Sequence, residues 1–532
     1  MLIVIRTAAG NPLQNYGDFR KYRGVAYNAK IAFFDIGINY NNPAMNSLKV
    51  PINLDTGLFG VLYSAGARIQ SMSWGGWQDK YDSTTIAVDK YMYNNPDVLL
   101  IFAAGNNGTK THTVGTPANC KNCLTIGAHL NDEKSFKYYA SSELIDQLTI
   151  DSVASFSSKG PTNDNRIKPD ILAPGWFITS ALANQDVDTT TGDGTYHCDL
   201  IYMRGTSMAT PAASGAAALV YEYFTSGFYP SGTKNVVDVF VPSGALIKAM
   251  LITSGQSMKN VVTTDDSDVT KYSSVPISTW SNGKYPNNVE GYGRMQLDTI
   301  LNFGQSSHSP LTLFVVGAAS SSSALYAEVS SAVTSVSYTV KSSSQKTIRV
   351  CLTYTDDVPS SAVPSGTSPL INKLSVALYT TNDMVNPIKN TLIYPDNANN
   401  VKMIEFTHPS ANTDYVITVK ATTLTTSPQP FSLVIVQDIT TAKSSTEFNS
   451  GTYSDDLKLE KDNIIAISVL SALAFFLLLS LITIYYQKRK HYEPVETNIR
   501  PVSLVSLSSI PPTRMIFPQE REQSPTYAIN MD

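Results

Sequence analysis

The chain is poor in charge and in cysteine, and both shortages exclude functions. Charged residues make up only 15% of its 532 residues, and the net charge is −4. That balance builds no basic field of the kind that binds nucleic acid, so no nucleic-acid partner is expected. Only four cysteines occur: Cys120, Cys123, Cys198 and Cys351. Cys120 and Cys123 form a lone C-x-x-C with no second ligand pair after it, which argues against a metal site. An export signal is also missing. Met1-Leu2-Ile3-Val4-Ile5 is too short for a signal-peptide core and meets Arg6 at once. The six histidines are His112, His129, His197, His308, His408 and His491, so every imidazole follows Gly108.

Apolar residues are plentiful, at 42%, enough for a large core in two or three domains. One run, Ile464 to Tyr486, holds 23 residues without a charge. As a helix rising about 1.5 Å per residue it reaches about 34 Å, which crosses a bilayer core. Gln487-Lys488-Arg489-Lys490-His491 follows, marking that end as cytoplasmic and residues 1–463 as extracellular or lumenal. A single-pass membrane protein is expected, with a disordered Pro- and Ser-rich tail over 487–532. No oligomeric state follows from these features.

The stretch Arg204-Gly205-Thr206-Ser207-Met208-Ala209-Thr210-Pro211-Ala212-Ala213 sets a serine among small residues, before an Ala-rich run reaching Val220. This reads as a turn feeding a helix, with Ser207 at its mouth. A helix N-terminus has free N–H groups and a partial positive charge. A serine held there presents its hydroxyl, and its own N–H can stabilise a developing oxyanion. Pro211 fits the first turn, where no amide hydrogen is missed. Alone, such a string reads as an N-cap on a buried helix.

Upstream, the order is that of an α/β domain. Ile31-Ala32-Phe33-Phe34-Asp35 reads as a strand, Gly57 to Ser64 as a helical turn, and Ala67 to Gly76 as a strand ending in small residues. Ser83 to Asn94 reads as a helix with a capping serine. Val98 to Ala104 is almost wholly apolar, as in a parallel sheet buried on both faces. Gly105-Asn106-Asn107-Gly108 follows, at the carboxyl end where α/β sheets place ligand-binding groups. Asn106 can donate to an oxyanion without carrying charge, although the four residues alone also make a good turn. Asn107-Gly108-Thr109 is an N-glycosylation sequon, so near the proposed site that its use is not expected.

Gly205-Thr206-Ser207-Met208-Ala209-Thr210-Pro211-Ala212 closely resembles the nucleophile segment of the subtilisin-like serine peptidases. Ala103-Ala104-Gly105-Asn106 resembles their oxyanion segment. Phe156 to Thr162, Lys168 to Gly175, Ala245 to Thr253 and Gly291 to Met295 resemble further parts of the same domain, over about residues 7–305. The resemblance implies a mostly parallel sheet with flanking helices, Ser207 as nucleophile and Asn106 as oxyanion donor. It implies a peptide or protein substrate, whose backbone pairs with Ser73-Trp74-Gly75 by β-addition. The chemistry it implies requires no cofactor.

A serine hydroxyl needs a base, which subtilases supply as a histidine oriented by an aspartate, in the order Asp, His, Ser. No histidine here lies in an H-G-T-H-like string. Asp35 ends its strand in D-x-G form, but no histidine lies between it and Ser73. Gly24-Val25-Ala26-x-x-Ala29-Lys30 resembles the segment after the histidine helix, and Ala8-Ala9-Gly10-Asn11 that helix's end. In this register Asp35 is a later strand residue and the histidine falls before residue 1. His112 and His197 read as loop residues. The missing export signal and the missing triad members together lead us to expect an N-terminally truncated product, inactive as it stands. A non-catalytic membrane receptor or adhesion protein on the same scaffold is the alternative.

After residue 305 the pattern changes. Ile348, Val350, Leu352 and Tyr354 alternate with Thr347, Arg349, Cys351 and Thr353. Leu374–Leu378, Tyr415–Val419 and Phe431–Val436 repeat the strand signal. An all-β sandwich is expected over 309–438, then a Ser/Thr-rich stalk over 439–463, the transmembrane helix over 464–486 and the tail. Asp396-Asn397-Ala398-Asn399-Asn400 resembles a segment of β-sandwich domains appended to some subtilases; it reads as a turn with a structural role, and leaves room for structural calcium. A disulfide is expected between Cys198 and the C-x-x-C pair, with Cys120 or Cys123 as its partner. Sequencing of the upstream transcript is expected to reveal codons for D-x-G and H-G-T-H strings. Their absence there would overturn the truncation.

Overall fold

Continuous apolar runs become central strands because both their faces are covered. The computed structural model describes residues 2–11, 22–38, 47–132, 148–181, 200–265, 268–304, 312–342, 344–360, 363–388, 392–393, 398–437 and 439–447. Gly37–Ile38 pairs with Ser47–Leu48, and helical turns run over Asp55–Phe59 and Gly60–Ser64, where a helical turn was expected. The elements that build the site start with helix α1 (Leu2–Ala9), strand β1 (Ile69–Met72), helix α2 (Ser83–Asn94) and strands β2 (Leu99–Ala103) and β3 (Leu124–Leu130). Strands β4 (Ser152–Val153), β5 (Ile171–Trp176), β6 (Ile178–Ala181) and β7 (Leu200–Met203) lead to helix α3 (Thr206–Thr225). Helix α4 (Gly244–Thr253) and the hairpin β8 (Asn260–Asp265) and β9 (Asp268–Pro276) close the α/β part.

The main sheet has seven strands in the order β9-β8-β4-β3-β2-β1, with β5 also paired to β3. β1, β2, β3 and β5 run parallel, in a register that sets Ile69 beside Leu99 and Ile101 beside Leu124. β3–β4 and β8–β9 are antiparallel, so the sheet is mixed. β6 and β7 form a separate two-stranded sheet. α3 packs on β1, β2, β3 and β5 through its Ala- and Gly-rich surface, and α1 packs on α3. Gly215 is needed at that second contact, since a Cβ there would lie 2.7 Å from both Ala8 O and Val25 Cβ.

Three local expectations fail for physical reasons. Ile31 to Asp35 is not a strand: no neighbouring strand pairs with it among the described residues, and Ile31 and Phe33 are exposed. α2 spans the expected residues, but its cap is Asp82, whose carboxylate accepts from Thr85 N at 3.0 Å. The serine beside it already has helical geometry. Cys120 is bonded to Cys123, with Cα atoms 5.8 Å apart across the four-residue turn. Pairing with Cys198 is thereby replaced, and Cys198 itself lies outside the described residues.

The C-terminal region contains strands β10 (Thr312–Val316), β11 (Ser335–Ser342), β12 (Ile348–Thr353), β13 (Lys373–Thr380) and β14 (Leu392–Ile393). It continues with β15 (Val401–Phe406), β16 (Asp414–Thr423), β17 (Ser432–Gln437) and β18 (Ile439–Glu447). Two antiparallel sheets result, β10-β17-β12-β15-β14 and β13-β16-β11-β18. Val350, Leu352, Ile404 and Ile435 of the first share a core with Tyr338, Val376, Ile417 and Val419 of the second. β18 lies inside the segment expected to begin a stalk. The expected span 464–486 lies outside the described residues, among which no helix is long and apolar enough to cross a membrane.

The outer face of the first sheet is not solvent-facing. Val315, Cys351, Met403 and Val434 belong to the same core as α3 and α4. Arg349 Nη1 donates to Thr253 O at 2.7 Å and Gly255 O at 2.8 Å, and Thr353 Oγ1 donates to Ala245 O at 2.7 Å. Beside this contact Lys121 forms a fully buried ion pair with Asp356. Asn122 Nδ2 donates to Asp356 O at 2.8 Å, and Asp356 N donates to Asn122 Oδ1 at 2.9 Å. Both side chains come from the turn that the disulfide closes. Asn399 Oδ1 accepts from Ile167 N at 3.0 Å, and Asn400 Nδ2 donates to Asn122 Oδ1 at 3.1 Å. Asn399 and Asn400, from the segment considered for calcium, thus hold the two parts together, while Asp396 and Asn397 lie outside the described residues. Among the described residues no group of His, Cys, Asp or Glu could hold a metal ion.

His129 on β3 shows what burial does to a titratable group. It is 3% exposed, and its Nδ1 faces Leu130 O at 2.5 Å. Burial pushes its pKa down to about 4, below the free imidazole value of 6.5. The unfolded chain therefore binds a proton that the folded chain refuses. Stability is complete above the unfolded value and is lost as pH falls through about 4, by about 3 kcal/mol. Urea unfolding between pH 7 and pH 4 is expected to show this slope, and His129→Asn is expected to remove it.

Candidate active site

The site forms where β2 ends and α3 begins. Gly205 precedes the helix with φ +145°, and its amide donates to Gly175 O at 2.8 Å. A Cβ at Gly205 would lie 3.3 Å from Asn106 Nδ2, so glycine serves both the turn and the close approach. Gly105, with φ +108°, turns the chain after β2 and delivers Asn106.

Thr206 ties the two ends together. Its backbone N–H donates to Asn106 Oδ1 at 2.8 Å and its hydroxyl to the same oxygen at 3.0 Å. That hydroxyl accepts from Gly105 N at 3.1 Å. A backbone N–H can only donate, so the Asn106 atom facing Thr206 must be the oxygen. The amide nitrogen Nδ2 is thereby turned the other way, with no hydrogen-bond partner among the described residues. It is free to donate to an oxyanion, as is the Ser207 N–H at the helix mouth.

Ser207 is half-buried, and its hydroxyl donates to Ser73 O at 3.4 Å. In return Ser73 Oγ donates to Ser207 O at 2.9 Å. This second bond has a cause in the helix. Thr206 is the first helical residue, so Pro211 is the sixth and lies past the first turn rather than within it. A proline there lacks the N–H that would bond the carbonyl of residue i−4, which is Ser207. The Ser73 hydroxyl takes the place of that missing donor.

The strand expected to reach Gly76 stops at Met72, and Ser73-Trp74-Gly75 follow it as irregular chain among the described residues. The Trp74 ring meets Phe102 edge-on at 5.6 Å, and a Cβ at Gly75 would lie 3.1 Å from Thr116 O. Beneath the Asn106 loop the buried Lys159 ammonium donates to Gly108 O, and lies 4.7 Å from the Trp280 ring centroid. Burial pulls its pKa down to about 8. Ser158 Oγ accepts from Asn107 N at 3.1 Å, giving the loop a second anchor.

Ser207, Asn106 and Ser73 thus converge, with Trp74 and Gly75 alongside. No base joins them. Among the described residues neither an imidazole nor a carboxylate lies within hydrogen-bond reach of Ser207 Oγ. His112 is exposed with φ 57° in the loop after Asn106, and His197 lies outside the described residues. Asp35 accepts from Gly37 N at 2.8 Å within its own turn.

A sequence model of the subtilase family matches residues 4–293. The chain belongs to the subtilase family. It is 29% identical over 374 residues to the serine protease/ABC transporter B family protein tagD of Dictyostelium discoideum, covering 58% of this chain and 20% of that protein. It is 37% identical over 160 residues to serine protease AprX of Bacillus subtilis, covering 29% of this chain and 33% of that protein. Among solved structures, the prenylagaramide maturation protease PagA is 23% identical, with a TM-score of 0.29 over 47% of this chain and 66% of that one. The chain spans about a fifth of the length of the Dictyostelium relatives.

Thr206 and the Ser73–Pro211 relation are additions to the residues expected of this subtilase. The only sequence signal for Thr206 is a hydroxyl residue inside the string, because its partner lies 100 residues away. Ser73→Ala is expected to cost about 1–2 kcal/mol by orphaning the Ser207 carbonyl. In a Pro211→Ala background, where the helix amide is restored, the same change is expected to cost less than half as much. Denaturant unfolding of the double-mutant cycle measures the difference, and additive losses would refute the relation.

Proposed function

We propose that the chain is part of a membrane-anchored subtilisin-like serine endopeptidase. Ser207 attacks the scissile carbonyl, and Asn106 Nδ2 with the Ser207 amide holds the oxyanion. Ser73-Trp74-Gly75 pairs with the substrate backbone. The chemistry needs no cofactor. The observation that carries this reading is the Thr206 clasp, which leaves one side-chain donor and one helix-mouth donor beside a serine hydroxyl.

The general base and its aspartate, in this proposal, belong to sequence N-terminal to residue 1. Two observations support that register. The end of α1 pairs back with Gly24–Ala26, through Gly24 N to Gly10 O at 2.8 Å and Ala26 N to Ala8 O at 2.8 Å, and lies against α3. β1 ends the sheet, and the apolar segment 31–35 pairs with no strand among the described residues. A membrane setting is supported by the run at 464–486 and by Dictyostelium relatives named as serine proteases joined to an ABC transporter. The peptidase part then faces the lumen or the exterior, with 487–532 in the cytoplasm.

The absence of any imidazole on Ser207 among the described residues favours a second reading, a non-catalytic membrane receptor on the same scaffold. A fluorophosphonate probe separates the two. The present chain is expected to label at least about 10⁴-fold more slowly than an active subtilase. A longer product carrying the upstream strings is expected to label at Ser207, and Ser207→Ala to abolish the label. No labelling of that longer product would overturn the peptidase reading and leave the non-catalytic receptor or adhesion protein.

A further inference from the structure

We infer that Asn107 is an N-glycosylation site, which puts an oligosaccharide at the rim of the candidate site. Asn107-Gly108-Thr109 is the sole N-x-S/T triplet without proline in the sequence. Its closeness to Asn106 counted against its use, but the two neighbouring amides have opposite fates. Asn106 is turned towards Thr206 through its side-chain oxygen. The Asn107 side chain is exposed and makes no hydrogen bond to any described residue, while its backbone N–H is anchored on Ser158 Oγ at 3.1 Å.

The middle residue enforces this arrangement. Gly108 is buried, and its amide donates to Phe156 O at 2.9 Å. A Cβ at Gly108 would lie 2.2 Å from Ser157 O, so the middle position turns inward and admits glycine alone. Thr109 is exposed on the far side of that turn. Both side chains that a glycosylating enzyme must read therefore face solvent, on a loop held by its backbone. The inference rests on the lumenal placement proposed above, since the sugar donor, a lipid-pyrophosphate-linked oligosaccharide, is found there. In the transfer Asn107 Nδ2 forms a bond to the sugar C1. The bond from C1 to the pyrophosphate oxygen breaks, the lipid pyrophosphate leaves with the electron pair, and the amide gives up one proton.

The test expresses the full chain behind a cleavable export signal in a eukaryotic host. Peptide mapping follows, after enzymatic sugar release in heavy-oxygen water. One glycan is expected, at Asn107. It is lost in Asn107→Gln and in Thr109→Ala, and retained in Thr109→Ser. An added Lys284→Thr change provides the control, because it builds a second sequon on the exposed Asn282-Gly283 turn, far from the site in sequence. Sugar at both positions supports the inference. Sugar at Asn282 alone overturns it and leaves the lumenal placement standing. Sugar at neither overturns both.

Discussion

Two hydrogen bonds from Thr206 to one oxygen of Asn106 are the constraint around which the rest is arranged. They join the carboxyl end of a buried parallel strand to the mouth of a helix from a distant part of the chain. Each bond contributes only about 1 kcal/mol to stability. Their larger effect is orientation, since they decide which end of an amide side chain looks outward. Gly105 and Gly205 take positive-φ conformations so that the two segments can meet. The Ala-rich surface of α3 then lets the helix sit close on the sheet that carries Asn106. The site is the place where these steric permissions coincide.

Helix α3 contains a second arrangement of the same kind. Pro211 removes a donor from the helix interior, and the carbonyl thereby released belongs to Ser207. The Ser73 hydroxyl, just past the end of β1, fills the gap. A helix defect that would cost stability elsewhere here links the serine backbone to Ser73. The Ser207 and Ser73 segments are joined by a bond that an unbroken helix would have kept for itself.

Much of this was legible in the sequence, and what was not has a common cause. The Ser207 string, Asn106, the apolar strand before it and the span of α2 could all be read because each is set by neighbours in the chain. The Ile31–Asp35 segment misled because an apolar run becomes a strand only beside another strand. Asp82 outcompeted Ser83 as a cap because a helix start depends on backbone angles that composition does not show. Alternation over Thr347–Tyr354 marks a strand but does not say what covers its polar face. The polar face is in fact occupied by backbone carbonyls of α4, which Arg349 and Thr353 satisfy. Thr206 and Cys123 likewise needed partners that only the folded chain identifies.

The disulfide-closed turn and helix α4 have a consequence for how this chain could have arisen. Composition changes near residue 305, and a recombination event there would seem harmless. The fold places no seam at that point. α4 is packed against β2 on one side and against β12 and β17 on another, and the buried Lys121–Asp356 pair would leave a bare charge in either fragment. Gene shuffling at the compositional border would cut through a single core. The α/β and all-β parts therefore share one core, and substitutions in either must be tolerated by the other.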